Sequence, residues 1–307
     1  MSKKEIFRSG LYGLAIGDAL GVPVEFLDRE TVRNINVQNM MESGVPKGTY
    51  SDDTAMTLAM IDGMNKKSYD LVKIMNNFVE WFNTGKYSGL SYPFGLGNCC
   101  REAIIKYKKT KDINTCGCTR VRENGNGALM RILPACIYLN DLDKSLDEKI
   151  ELLNRFTALT HAHPISLMAN VIYYLFLSTI IETKDKNKAF DNIINFNYNK
   201  YFDKSTILEY SHILTKNLLI NDDIENKKNG YVVPTVEGVI FSIMKNNNYK
   251  DSVLCAINLG FDTDTLGAIT GSIAGILYGI EDIPKKWMND LKNKELINEL
   301  LNKYYDC

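Results

Sequence analysis

Two short stretches, Ser51-Asp52-Asp53 and Asp262-Thr263-Asp264-Thr265, hold the side chains with which this sequence can do chemistry. Each sets two carboxylates and a hydroxyl at the start of a run of small and apolar residues, Thr54 to Met64 apart from Asp62 in one case and Leu266 to Tyr278 in the other. Taken singly, each reads equally well as helix capping, since acids in a first turn are favoured by the helix dipole and Ser51 is a good N-cap. Together they exceed what capping needs, which is one side chain per helix end. If both helix starts face one cavity, four carboxylates converge, and their repulsion either raises their pKa values or is offset by cations. Oxygen donors with no cysteine or histidine beside them in sequence select hard ions, Mg²⁺ or Mn²⁺, singly or as a pair about 3.5–4 Å apart. Glu25, in Val-Pro-Val-Glu-Phe, is a third acidic candidate and reads equally as a surface loop acid.

Gly125-Asn126-Gly127 offers backbone N–H groups that can cradle an anion at a helix start, and it is also a commonplace turn. His161 and His163 are the only paired histidines among three. His-x-His supplies too few ligands for zinc and is more often packed or hydrogen-bonded. The seven cysteines are odd in number and partly adjacent. Cys99, Cys100, Cys116 and Cys118 lack the usual C-x₂-C zinc geometry, and free buried thiols are the better reading for all seven, Cys307 included.

The elements that must position these groups are helical. Gly260 to Gly279 contains five glycines, of which Gly267, Gly271, Gly275 and Gly279 stand four apart. Interior glycines cost roughly 0.5–1 kcal/mol each relative to alanine, so another backbone must pass close by. The partner is the Phe7–Leu20 segment, where Gly13, Gly17 and Gly21 repeat the same spacing. The stripe imitates a membrane dimerisation motif, but an apolar run of about 14 residues is short of the roughly 20 needed to span. Further helices are expected at about Tyr69 to Phe82, Lys149 to Leu159 and Ile165 to Ile181, the last a core helix. Residues 26–50 read as a polar loop, the Gly/Tyr-rich residues 84–98 as a binding loop, and 183–250 as peripheral helices. No period-2 strands or fixed repeats stand out. The fold class is therefore all-α: a compact multi-helix fold around a buried glycine-rich central helix, in a single domain over 1–307.

With 45% hydrophobic and 24% charged residues and a net charge of −1, nothing favours sequence-specific nucleic-acid binding or a membrane surface. Lys3, Lys4 and Arg8 before an apolar stretch imitate a secretory signal, but Asp18 interrupts it, and a cytoplasmic location is expected.

Five motifs in order, GLAIGDALGVPVEF (13–26), YSDDTAM (50–56), GNGALMRILP (125–134), THAHP (160–164) and GFDTDTLGAITGSIAGILYG (260–279), make the chain resemble the ADP-ribosylglycohydrolase family. The resemblance implies an all-α hydrolase with two Mg²⁺ (or Mn²⁺), removing ADP-ribose from a modified acceptor by cleaving a C1″ N- or O-glycosidic bond. It implies metal binding by Ser51, Asp52, Asp53, Asp262, Asp264 and Thr265, and catalysis by Glu25, on a mobile loop, with Asp53 and Asp264. Gly125, Asn126 and Gly127 would lie near the diphosphate and His161 on the ligand side. The substrate partner would be an ADP-ribosylated protein or other acceptor, with ADP-ribose as product. Many members have an aspartate before the Gly-Asn that is Gly97-Asn98 here, where this chain has Gly95. That departure motivates the alternative, a catalytically inactive ADP-ribose-binding or structural protein on the same scaffold. A helical prenyl-diphosphate enzyme is disfavoured, because Asp52-Asp53 is not followed by the third acid of DDxxD.

Overall fold

Two glycine-striped helices, Lys3–Gly21 and Thr263–Tyr278, cross at the centre of the molecule. The computed structural model describes residues 1–220, 223–224 and 230–306. Ser2 and Glu5 start the first helix with a reciprocal capping box, and Val22-Pro23 ends it in a short 3₁₀ turn. A methyl group on Gly13 or Gly17 would lie under 3.0 Å from the carbonyl oxygen of Gly271 or Gly267, and additions on Gly267 and Gly271 would strike Gly17 and Gly13 in return. The interlock expected from the spacing is therefore real. It lets backbones touch and gains dispersion and weak Cα–H···O contacts that larger side chains would prevent. Gly279 is not part of it: at φ 88° it ends the helix and has open space beside it.

Around this pair pack Asp52–Asp62, Pro164–Thr183, Val232–Lys245 and Tyr249–Ile257. The Tyr249 hydroxyl donates to the Gly13 carbonyl at 2.7 Å, and the Tyr173 and Ser272 hydroxyls bond at 2.7 Å, so these three buried hydroxyls are partnered. Pro164–Thr183 has the length and hydropathy to cross a membrane, a property the sequence reading did not register, and 72% of its apolar window is buried inside the structure. Val232–Lys245 is likewise a buried core helix rather than a peripheral one.

Other departures are local. Residues read as a polar loop contain the helix Arg29–Ile35, started by Asp28, whose carboxylate accepts from Thr31 N at 3.0 Å. Met64–Asn65 pairs with Ser68–Tyr69 as a two-stranded hairpin too short to show alternation. Asp264 lies in the first turn of its helix, with Asp262 just before it. The six described cysteines are free, and among the described residues no metal-sized group of side chains contains two of them. Cys307 lies outside the described residues.

Candidate functional site

The acidic helix Asp52–Asp62 begins beneath the amino-terminal helix, and Asp18 is the reason its own acids are left available. The Asp18 carboxylate accepts from Ser51 N at 2.8 Å, Thr54 N at 3.0 Å and the Thr54 hydroxyl at 2.6 Å. A side chain from a neighbouring helix thus satisfies N–H groups that a helix start leaves orphaned. Ser51 Oγ accepts from Asp53 N at 3.4 Å and donates to Asp53 Oδ2 at 3.2 Å. With Asp18 and Ser51 acting as caps, the capping explanation for Asp52 and Asp53 falls away. At the second helix start Asp262 stands in the N-cap position without making a side-chain cap bond.

The two starts are brought together. Carboxylate oxygens of Asp52, Asp53 and Asp264 lie within 4.8 Å of one another, and so do those of Glu25, Asp262 and Asp264. Thr265 Oγ1 donates to Asp53 Oδ2 at 3.3 Å, which joins the helices directly. Asp53 Oδ1 and Asp264 Oδ1 are buried with no hydrogen-bond partner. Burial first, and then neighbouring carboxylates, hold Asp52, Asp53 and Asp264 well above the usual carboxylate range. Burial also raises Asp262, against its hydrogen bond from Asn126. Orphaned, mutually repelling oxygens with adjacent hydroxyls are the donor set that hard divalent cations take, so the residues fit such ions.

Glu25 reaches the cluster because its loop is tied to the other acidic loop. Phe26 N donates to Phe261 O at 2.6 Å and Phe261 N to Leu27 O at 2.7 Å. Phe26 and Phe261 both have positive φ, 65° and 63°, a strained conformation for an aromatic residue that the paired bonds maintain. Burial, then Asp262 and Asp18, push the Glu25 carboxyl up to about 8.

A cleft of about 450 Å³ opens over the acids, a volume suited to a nucleotide-sized ligand. Gly125, Asn126, Gly127 and His161 line it. Of the two readings of Gly-Asn-Gly the structure has the turn and not the helix start: Asn126 N donates to Gly230 O at 3.0 Å, and the next helix begins at Leu133. Asn126 does not point its side chain freely at a ligand either. Its amide donates to Thr235 Oγ1 at 3.0 Å and to Asp262 Oδ2, so it positions the acid. The histidine pair divides its work: His161 faces the cleft, while His163 caps the Pro164 helix by accepting from Ile165 N at 3.3 Å.

Only the end of the expected binding loop, Gly95 to Asn98, reaches the cleft; its beginning is anchored by Tyr50 donating to the Tyr87 carbonyl and Asn293 to the Ser88 carbonyl. Gly95 has φ 87°, and a methyl group there would stand 2.5 Å from Asp52 Oδ1. An acid at this position would collide with Asp52 unless the loop moved, so glycine here goes with the placement of Asp52. Sequence reading missed Asp18 as a site residue; its signal was a lone charge in the otherwise uncharged stretch from Ser9 to Gly21. It also missed Phe26, Arg122 and Tyr231, cleft-lining residues that no local pattern marks.

A family model described as ADP-ribosylglycohydrolase matches residues 1–306. The ADP-ribosylarginine hydrolase Tri1 of Serratia proteamaculans is 29% identical over 310 residues, spanning 97% of this chain and 78% of that one. The ADP-ribosyl-[dinitrogen reductase] glycohydrolase of Rhodospirillum rubrum is 26% identical over 295 residues, spanning 92% and 88%. An ADP-ribosylglycohydrolase-related protein complex of known structure matches with a TM-score of 0.81 at 23% identity, over 99% of this chain and 98% of that one, which is a likeness of fold.

Proposed function

The chain belongs to the ADP-ribosylglycohydrolase family, and from that premise we propose that it is a divalent-metal-dependent hydrolase releasing ADP-ribose from an ADP-ribosylated acceptor. One observation carries the reading: acids from two helix starts converge within 4.8 Å while Asp53 Oδ1 and Asp264 Oδ1 stay buried and unpartnered. A stable protein gains nothing from such a cluster unless it is used.

Ser51, Asp52, Asp53, Asp262, Asp264 and Thr265 are the residues that would hold two Mg²⁺ or Mn²⁺. Bound there, the ions supply charge neutralisation, a grip on the ribose hydroxyls and acidification of a water. Glu25, beside Asp262 and Asp264, would take the proton of a water attacking C1″ and return it to the acceptor nitrogen or oxygen as its bond to C1″ breaks, so that the acceptor leaves protonated. The developing positive charge on the ribose is stabilised by the surrounding carboxylates. Gly125, Gly127 and His161 would face the diphosphate, and Asn126 keeps Asp262 in place. A reducing, cytoplasmic setting belongs to the same proposal and is supported by the free thiols.

The test is release of ADP-ribose from arginine-, serine- and nucleobase-linked substrates, with Mg²⁺ or Mn²⁺ and again with chelator. Metal-dependent release from one of them is expected. Calorimetric binding of ADP-ribose with no release from any substrate would establish the inactive binder in its place.

A further inference from the structure

Arg131 is fully buried, and among the described residues no carboxylate pairs with it. Its guanidinium lies 4.9 Å from the centroid of the Phe78 ring, one Nη is 3.9 Å from Met60 Sδ, and its Nε has no partner. Burial lowers it only to about 10, so it remains a cation at neutral pH. An uncompensated buried charge is costly to keep, which points to the one strong hydrogen bond it makes: Nη2–H to Thr160 Oγ1 at 2.7 Å.

Thr160 Oγ1 is also 2.8 Å from His161 Nδ1. A guanidinium can only donate, so the Thr160 oxygen accepts from Arg131 and the Thr160 hydrogen is free to point elsewhere. Two acceptors are in reach, His161 Nδ1 and the Cys100 sulfur. A neutral imidazole nitrogen is the far better acceptor, and the adjacent cation makes the hydroxyl a stronger donor. The Cys100 thiol meanwhile has its own acceptor, the Gly127 carbonyl at 3.7 Å. Arg131 also opposes a second proton on His161, which burial already disfavours. Nδ1 therefore accepts, and the ring hydrogen resides on Nε2. That edge faces the glycine turn, where a methyl group on Gly125 would meet Nε2 at 3.4 Å and one on Gly127 would meet Cε1 at 3.2 Å. The absence of side chains at Gly125 and Gly127 leaves the edge open to the cleft.

We propose that Arg131, acting through Thr160, is a positioning residue that locks His161 as the neutral Nε2–H tautomer, so that the cleft wall at the glycine turn presents a fixed N–H donor to an anionic group such as a diphosphate. The ligand part rests on the proposed function; the tautomer lock does not.

The experiment reads the two separately on the full chain. Imidazole ¹⁵N spectra of labelled protein, which has three histidines, are assigned by difference against His161→Asn. The wild type and Thr160→Ser should show His161 with Nδ1 unprotonated and Nε2 protonated throughout the neutral pH range. Thr160→Val, which keeps the side-chain shape and removes the relay, should show a mixed or reversed tautomer, and Arg131→Met should move the spectrum the same way. ADP-ribose titration should find Thr160→Val about tenfold weaker, with Thr160→Ser near wild type. A wild-type spectrum with the hydrogen on Nδ1, or an unchanged tautomer in Thr160→Val, overturns the lock. ADP-ribose failing to bind the wild type while its spectrum is as stated supports the lock and removes the functional reading alone.

Discussion

The two ends of the Thr263–Tyr278 helix obey opposite rules. Along Gly267, Gly271 and Gly275 the helix is pressed backbone to backbone against Lys3–Gly21, and the buried Ser272 hydroxyl beside that seam is partnered. At its first turn, Asp264 is buried among other carboxylates with an oxygen left unpartnered. The first end contributes to stability, and the second spends it. The glycine seam fixes the separation and angle of the helices, and so the distance between the acids at their ends, at a precision loops alone would not provide.

The contrast can be broken at either end. The largest effect is expected from Asp264→Asn: ADP-ribose release should fall about 10³-fold, while melting in chelator should be no lower than wild type, because a carboxyl that burial and neighbouring acids already push toward its neutral form is replaced by a neutral group of the same shape. Full activity would sever the acids from the chemistry. Gly17→Ala should act on both ends, lowering urea-unfolding stability by about 3 kcal/mol as the added methyl meets the Gly267 carbonyl, and weakening metal binding as the acids are displaced. A neutral outcome would mean the seam is looser than the distances indicate.

A further effect is expected from pH in the metal-free protein. Asp18 at about 6 and Glu25 at about 8 are both raised above their unfolded values near 4. Their contribution is fully present below about pH 4 and is lost as pH rises through about 6 and then 8. The chelated protein should therefore melt lower at pH 8 than at pH 5, and Mg²⁺ or Mn²⁺ should restore it. A chelated protein whose melting temperature rises steadily over that range would show that these acids are not held protonated.

Local pattern alone was enough for the helical class, both glycine stripes and the identity of the acids, because four-residue spacing and uncharged runs beside paired aspartates are one-dimensional signals. It failed at Arg29–Ile35, whose seven residues are too few for periodicity, and at Val232–Lys245, whose Asn- and Lys-rich neighbourhood suggested the surface. It also left capping and chemistry unresolved for Asp52 and Asp53. That choice turned on Asp18, a residue 33 positions before Ser51 in the chain, which the fold brings to the helix start as its cap. Asn126 was expected to serve an anion and instead holds Asp262, 136 positions away. The sequence settled which residues are acidic, small or apolar and how each segment coils. Which carboxylates share a space, and which side chains release them from other duties, was decided by tertiary packing, since hydrogen-bond partnership and repulsion depend on distances between residues far apart in the chain.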